Sequence, residues 1–530
     1  MDKNIVICVS WPYANNNLHL GYIASSLSGD ILARFHRMAG DNVLMVSGAD
    51  SHGTKIELIA KKEGIKPADV VNRYYENFVK ALNAFNFSFD KFAYTYADFH
   101  KKRCQELFVE MWKNGYLYEK VVKRPYCAKC GKFVADTEIE ITCPVCGRRT
   151  KADNCDCGYV PNEKDIEGAT CLVCGEHTKL KENKVLVFKL TAFKELLEKN
   201  LKKYENQWRP NSVNETEKYL KDLVDRDFSR DLNWGVDMPI PGFEDKKVWV
   251  WWEALLGYVT DTMLLAEERG FDWRAFWKTD VEPDKEKIIY MCHAKDNIPF
   301  HSLFFPAMLA SLEDNWVIPG YMVSAEYLLM NDQKISKSKG GFEALEWANK
   351  YNTDSLRYYF SAYGPERKDC NFSEDLYVNV HNTEVVNKIG NLVNRTLKFK
   401  GLTTLPKGTV DDEIKTLVEK TYKDVAKAIS DIEFKKAIGQ VMDLVSEANR
   451  YYDEKKPWVL AKEEDKTAFG DVIFTCAYII ANLGNLLEPF MPEAAKKIRH
   501  IFNNKDYAWK VTDIKSGISL ENIVPLFERV

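Results

Sequence analysis

The 530-residue sequence has no apolar run approaching membrane-spanning length, no internal repeat, no low-complexity tract and no coiled-coil heptads. These absences set aside a membrane-embedded chain, a solenoid and a fibrous or disordered protein. An excess of either charge is missing too, since 74 basic residues face 78 acidic ones for a formal net of −4. That balance excludes indiscriminate coating of nucleic acid, so any such partner must meet local basic patches. A strand pattern begins by residue 4, which leaves no room for a signal or transit peptide, and a cytoplasmic protein without membrane contact is expected. Nor do the 13 cysteines look like a disulfide framework, because eight of them fall in close pairs.

What is present is globular, with 45% hydrophobic and 13% aromatic residues. This length is too great for one core, and roughly three to five compact units are expected. Strand and helix periodicities alternate from residue 4 to about 115, with Asn4–Ser10 and Asn42–Ser47 as buried strands and a helix from about Asp98 ended by Gly115. The alternation predicts half of a doubly wound parallel sheet, an α/β Rossmann-like fold. From 118 to 230 the pattern breaks into cysteine pairs, short strands and polar turns. Parallel strands are expected to resume at Lys247–Trp252 and Lys287–His293. Helices follow around Phe342–Tyr351 and Thr353–Tyr363, and beyond about 380 only helical spacing remains, as in Val385, Ile389, Leu392 and Leu397, which predicts an all-α bundle. The expected division is 1–117 and 231–320 for the two halves of the sheet domain, 118–230 for a cysteine-bearing insertion, 321–380 for a lysine-loop region and 381–530 for the bundle.

The pairs are Cys127 with Cys130, Cys143 with Cys146, Cys155 with Cys157, and Cys171 with Cys174. Three have the two-residue gap of a zinc knuckle and are followed by Gly131, Gly147 or Gly175, which permit the tight turn that aims both sulfurs at one ion. Eight thiolates suffice for two tetrahedral sites. Four sulfur ligands leave no open position for water or substrate, so one or two structural zinc ions fit better than a catalytic one. Free buried thiols are the alternative, and spacing alone does not fix which pairs share an ion.

Two further segments carry chemistry. His19 and Gly21 sit where the first strand hands over to a helix with Ile23, Leu27, Ile31, Phe35 and Met38 at three- and four-residue spacing. The free amides and positive dipole end of such a helix suit a phosphate, and Gly21 lets a flat base approach the backbone. Three hundred residues later, Lys334-Ile335-Ser336-Lys337-Ser338 lies in a loop rich in Gly and Lys. Taken singly, the first is a helix start with a stray histidine and the second a solvated lysine loop. As a pair, in this order and at this separation, they resemble the HIGH and KMSKS signatures of class I aminoacyl-tRNA synthetases. Tyr22 stands where the HIGH motif has its second histidine.

Longer segments narrow the resemblance to the methionyl-tRNA synthetase family over nearly the whole chain: Trp11-Pro12-Tyr13-Ala14-Asn15, Gly48–Thr54, Val250-Trp251-Trp252-Glu253-Ala254 and Ala294–Ser302. The resemblance implies an enzyme that activates methionine on ATP, with magnesium, and passes the methionyl group to the 3′ end of tRNA(Met). His19, Lys334 and Lys337 would be catalytic, acting on charge that develops at the phosphates. His19, Gly21, Asp296, Lys334 and Lys337 would bind ATP, Asp296 through the ribose. Asp50 would hold the substrate ammonium. Trp11, Tyr13, Trp251, Ala254, Leu255, Tyr258 and His301 would line the thioether pocket, with Tyr13 and His301 as polar handles near sulfur. Trp252 reads as core packing, and His36, His100 and His500 as structural or solvated.

The same resemblance implies interleaved metal sites, Cys127, Cys130, Cys171 and Cys174 around one ion and Cys143, Cys146, Cys155 and Cys157 around the other. In the tail, Asn391, Arg395 and Trp458 match anticodon-reading positions. Asn391 and Arg395 lie four apart on one helical face, and Trp458 offers a stacking platform. A pocket of this kind separates substrates one methylene apart by only ~1–3 kcal/mol. Homocysteine is therefore expected to enter and to be cyclised in the same pocket, with no editing domain. A monomer is expected. Two rivals remain on the residues alone: a synthetase for another apolar amino acid, and a catalytically idle tRNA-binding paralogue.

Overall fold

The computed structural model describes the chain apart from residues 1–2, 136–137, 153–154, 156, 158, 160, 163, 313–314, 331–332, 335–341, 464 and 522, and apart from the side chains of Gln333 and Lys334. Five parallel strands form its central sheet in the spatial order Tyr321–Ala325, Lys287–Ala294, Asn4–Val9, Asn42–Ala49, Lys91–Tyr94. Asn4 aligns with Lys287 on one side and with Asn42 on the other. Every residue of Asn4–Val9 is buried, which is why that strand reads as an unbroken apolar run rather than an alternating one. The strand order reverses between Asn4–Val9 and Lys287–Ala294. A crevice therefore opens beyond the carboxyl ends of these strands, where doubly wound sheets bind ligands.

Helices cover both faces. In Leu20–Ala39 the apolar series Ile23, Leu27, Ile31, Phe35 and Met38 is buried, and the helix stops at Gly40, whose φ of 89° satisfies the left-handed cap. Val250–Arg269 is buried on nearly all sides. It overturns the expectation of a parallel strand at Lys247–Trp252. Only Lys247–Val248 is extended, pairing antiparallel with Ser229–Arg230 outside the central sheet. A continuous apolar run has the same signature in a buried helix as in a buried strand, and here the run continues for five turns.

Between the two halves of the sheet, a long antiparallel ribbon of Leu117–Cys127 and Lys179–Phe188 carries the cysteine pairs at its tip. The helices Lys194–Tyr204 and Pro210–Lys221 return to the sheet edge, where Trp208 Nε1 donates to the Gly320 carbonyl (2.8 Å) and Arg209 to that of Ser324 (3.0 Å). The C-terminal bundle contains Asp412–Ser430, Phe434–Lys455, Lys466–Leu486 and Pro492–Ile501. Lys466–Leu486 corrects the reading that no segment is apolar enough to span a membrane: it qualifies by length and hydropathy, and 78% of that window is buried inside the protein. Its apolarity is that of a central bundle helix, enclosed on all sides. The bundle is tied to the sheet domain by Arg357, whose fully buried guanidinium donates to Asp30 (2.6 Å) and to the carbonyls of Phe85, Pro489 and Phe490.

Candidate active site at the strand ends

The first two strands keep their register past their ends. Asp50 N–H donates to Pro12 O (2.9 Å) and Ala14 N–H to Asp50 O (2.8 Å), which sets Tyr13 beside Asp50 at the mouth of the crevice. The Asp50 Oδ1 atom is enclosed without a hydrogen-bond partner. Burial, then the negative charge of Glu253, push its carboxyl well above the ordinary range, and only the His52 amide works the other way. An enclosed carboxylate of this kind is compensated by a cation. Beside it, backbone amides of Ile56 and Lys55 donate to the Tyr13 oxygen, so the phenol keeps its O–H to give.

Trp11 lies across the floor. Its ring is wedged between two glycines, and a Cβ at Gly48 or Gly257 would stand 2.2 or 2.3 Å from ring carbons. No other residue fits at either place without moving the indole. Trp11 Nε1 is enclosed without a partner.

Trp251, Ala254, Leu255 and Tyr258 recur at i, i+3, i+4 and i+7 of Val250–Arg269 and so share one face. Trp251 stacks on Phe300 with 3.7 Å between centroids and 5° between planes. Trp252 turns the other way into the core, against Phe228 and Phe304, as expected. His301 faces Tyr258, with Nε2 2.8 Å from its hydroxyl and Nδ1 2.8 Å from the Asn297 carbonyl. A carbonyl only accepts, so the proton sits on Nδ1 and the Tyr258 hydroxyl donates to Nε2. Burial lowers the imidazole to about 4, so it is neutral. Both ring nitrogens are therefore occupied, and of the two polar handles expected near sulfur only Tyr13 retains a donor.

The sequence reading missed a buried group behind Asp50. Glu253, with no exposed surface, receives His52 Nδ1 on one oxygen and His100 Nε2 on the other, each at 2.8 Å, and His100 Nδ1 lies 2.8 Å from the Thr260 hydroxyl. Burial opposes the Glu253 charge, but the two imidazoles outweigh it and hold the carboxyl below its ordinary value. The available signal was Glu253 inside an otherwise apolar run, since a buried acid needs partners.

His19 occupies the N-cap of Leu20–Ala39 in extended conformation. The segment after the lysine loop is joined to it: Leu20 N–H donates to Phe342 O (3.0 Å), Ala344 N–H to Leu18 O (2.8 Å) and Asn17 Nδ2 to Glu343 Oε2 (2.9 Å). The residues that follow the second signature segment thus pack on the turn that carries His19. The contact also corrects an expectation, because the Leu20 amide meets a carbonyl rather than facing a phosphate. Tyr22 turns inward and donates to Ser10 O (3.0 Å), bracing the end of the first strand. Gly21 lies in the first turn of that helix. Gln333–Lys334 pairs with Leu328–Met330, while the Lys334 side chain and Lys337 lie outside the described residues. Asp296 follows the Lys287–Ala294 strand and receives the Tyr327 hydroxyl. Lys295 is bound to Glu326 and Asp369, each at 2.7 Å.

The eight cysteines separate into two groups, Cys127, Cys130, Cys171, Cys174 and Cys143, Cys146, Cys155, Cys157, with the sulfurs of each group within 4.8 Å of one another. This is the interleaved pairing that the resemblance implies. Sulfurs at ~2.3 Å from a tetrahedral ion stand about 3.8 Å apart. The recorded separations of 3.3 and 3.9 Å in the first group, and 3.7 and 3.5 Å in the second, fit that geometry and exclude disulfides.

In the bundle, Asn391 is exposed and Trp458 is 41% exposed on the short Pro457–Leu460 helix. Arg395 is engaged, donating to Asp453 (2.8 Å) and the Asn449 carbonyl (2.6 Å) over the Tyr452 ring. A base at that position would compete with Asp453 for the guanidinium.

A strand-order reversal beside an N-cap histidine, followed by a helical bundle, is the arrangement of a class I aminoacyl-tRNA synthetase, and the comparisons place the chain there. Residues 5–397 match the family model described as tRNA synthetases class I (M), and 405–523 match that of the anticodon binding domain of methionyl tRNA ligase. The chain is 39% identical over 533 residues to methionine–tRNA ligase 1 of Alkaliphilus oremlandii, covering 99% of this chain and 97% of that protein. It is 39% identical over 541 residues to the methionine–tRNA ligase of Bacillus mycoides, with the same coverage. The fold superposes on Mycobacterium tuberculosis methionyl-tRNA synthetase bound by methionyl-adenylate with a TM-score of 0.82 at 23% identity, covering 99% of this chain and all of that one. The chain belongs to the methionyl-tRNA synthetase family and is a ligase.

Proposed function

We propose that the crevice joins methionine to ATP and then to tRNA(Met). The observation that carries this reading is the docking of Phe342–Ala344 on Leu18–Leu20, which brings the exit of the lysine loop to the N-cap of the histidine helix. In the first step a methionine carboxylate oxygen attacks the α-phosphorus and pyrophosphate leaves with its electron pair. In the second a terminal ribose hydroxyl of the tRNA attacks the activated carbonyl and AMP departs. Asp50 receives the ammonium, and the Tyr13 hydroxyl gives its hydrogen bond toward the thioether over Trp11, Ala254 and Leu255, with Trp251, Tyr258 and His301 closing the far side. His19, Lys334 and Lys337 meet the phosphates, Gly21 lies under the base, and Asp296 exchanges the Tyr327 hydroxyl for a ribose hydroxyl. Magnesium supplies charge neutralisation to the triphosphate when bound.

Zinc suits the two all-cysteine clusters, which would hold the tip of the insertion together. The division is 1–117 with 231–320 for catalysis, 118–230 for the metal-bearing insertion, 321–380 for the lysine-loop region and 381–530 for the anticodon. The protein acts as a cytoplasmic monomer away from membranes.

Methionine-dependent pyrophosphate exchange tests the reading: methionine alone among the amino acids should support it. His19→Ala should lower the exchange kcat by about ten- to a hundredfold, the worth of one charge-assisted hydrogen bond of ~1.5–3 kcal/mol, with KM for methionine unchanged. Exchange driven by another amino acid, or unaltered kcat in that variant, overturns it. Trp458→Ala should leave exchange intact while tRNA charging falls about tenfold in kcat/KM, as loss of one stacked base requires at ~1–3 kcal/mol. Equal losses in both assays would remove Trp458 from tRNA reading.

A further inference from the structure

Glu253 lies behind the pocket, between three segments that approach each other from distant parts of the sequence. His52 belongs to the loop that carries Asp50, His100 to the Asp98–Lys113 helix, and Glu253 itself to the first turn of the helix that carries Trp251, Ala254, Leu255 and Tyr258. All three side chains are buried. A carboxylate only accepts, so both imidazoles must turn an N–H toward it: Nδ1–H of His52 and Nε2–H of His100. His100 Nδ1 lies 2.8 Å from the Thr260 hydroxyl, two turns beyond Glu253 on the pocket helix, and that hydroxyl also reaches the Gly257 carbonyl (3.2 Å). The loop is held from its other side as well, since Ser51 N–H donates to Thr95 Oγ1 (3.0 Å). The Glu253 carboxylate therefore has a partner on each oxygen and no access to water, and it can keep both only while the Asp50 loop and the pocket helix stand at one fixed spacing.

We propose that Glu253 is a positioning residue for methionine: through His52 and His100 it locks the Asp50 loop against the pocket helix, so that the ammonium site and the thioether pocket keep a single separation. The inference rests on the reading of Asp50 as the ammonium partner. It names no contact between Glu253 and substrate. The carboxylate acts on methionine binding alone, so KM for ATP serves as the control.

Glu253→Gln keeps the shape but removes the charge and one acceptor, so at least one imidazole must change tautomer and both charge-assisted links are weakened. In pyrophosphate exchange with the full chain, this variant should raise KM for methionine about tenfold while KM for ATP stays within twofold. Inhibition by methioninol, which keeps the ammonium, should weaken in parallel. Inhibition by 4-(methylthio)butanoate, which lacks it, should not change. Combined with Asp50→Asn, Glu253→Gln should add nothing to the single Asp50 defect. Should Glu253→Gln fail to fold, Thr260→Val cuts the outer end of the chain at nearly constant volume and should shift KM for methionine in the same direction by a smaller factor. A defective Asp50→Asn beside unaffected Glu253→Gln and Thr260→Val overturns the inference alone, as do additive defects or an equal rise in KM for ATP. A normal KM for methionine in Asp50→Asn overturns the ammonium assignment, and the inference with it.

Discussion

Asp50→Asn is expected to lower kcat/KM for methionine in pyrophosphate exchange by about thirtyfold to a few thousandfold, while KM for ATP is unchanged. Truncating one member of a buried charge pair costs ~2–5 kcal/mol, because the substrate ammonium then enters an enclosed site without its counter-charge. The same substitution should raise the melting temperature of the ligand-free protein. Burial and the neighbouring Glu253 raise the Asp50 carboxyl above its unfolded value. Above the unfolded carboxylate range the native state must then keep a proton that the unfolded chain has released, or hold a charge it disfavours. For a group raised in this way, the penalty is absent below the unfolded carboxylate range and grows as pH rises toward the folded value. The gain in stability should therefore vanish in acid and reach its full size only above the raised native value, which a series of thermal melts against pH would show. A variant that loses both activity and stability at every pH would mean that Asp50 braces the loop rather than waiting for a cation.

Removal of one cysteine from the buried cluster, as in Cys171→Ser, should have the second large effect. The packed interior of the insertion is small, made chiefly of Val134, Ile139, Ile141, Ala152, Ile166 and Ala169 around Cys127 and Cys171. A core of that size does not hold a fold without staples, and a structural zinc site supplies ~10–16 kcal/mol. The variant should bind one metal equivalent in place of two by elemental analysis. Amide exchange should accelerate across 127–178 and stay slow in the central strands. Chelators should strip the other cluster first in the wild type, since Cys146 and Cys157 are exposed while Cys127 and Cys171 are buried. Full metal content in Cys171→Ser, or unaltered exchange at the tip, would show that the cluster carries no ion.

Much of the site was legible because its determinants are local. Spacing put His19 at a strand-to-helix junction, which the structure keeps, whereas Trp251, Ala254, Leu255 and Tyr258 were named only through the family resemblance, and it is the structure that sets them on one helix face. The misreading at Lys247–Trp252 has the opposite origin. Burial on all sides erases periodicity, and a strand and a helix then share one pattern. The same effect made Lys466–Leu486 apolar enough to resemble a span.

The sequence by itself determined the alternating sheet-and-helix order, the residue types that can meet a phosphate, an ammonium or a soft metal, and the turns that pair neighbouring cysteines. These depend on backbone preferences and side-chain chemistry within a few residues. Only the tertiary structure decided which distant groups share a partner: that His52 and His100 converge on Glu253, that Phe342 takes the amide of Leu20, that Arg395 is held by Asp453, and that the outer two cysteine pairs gather in one cluster and the inner two in another. Each of these joins residues tens to hundreds of positions apart. A hydrogen bond or a shared ion is fixed by distance in space, and the fold alone sets that distance.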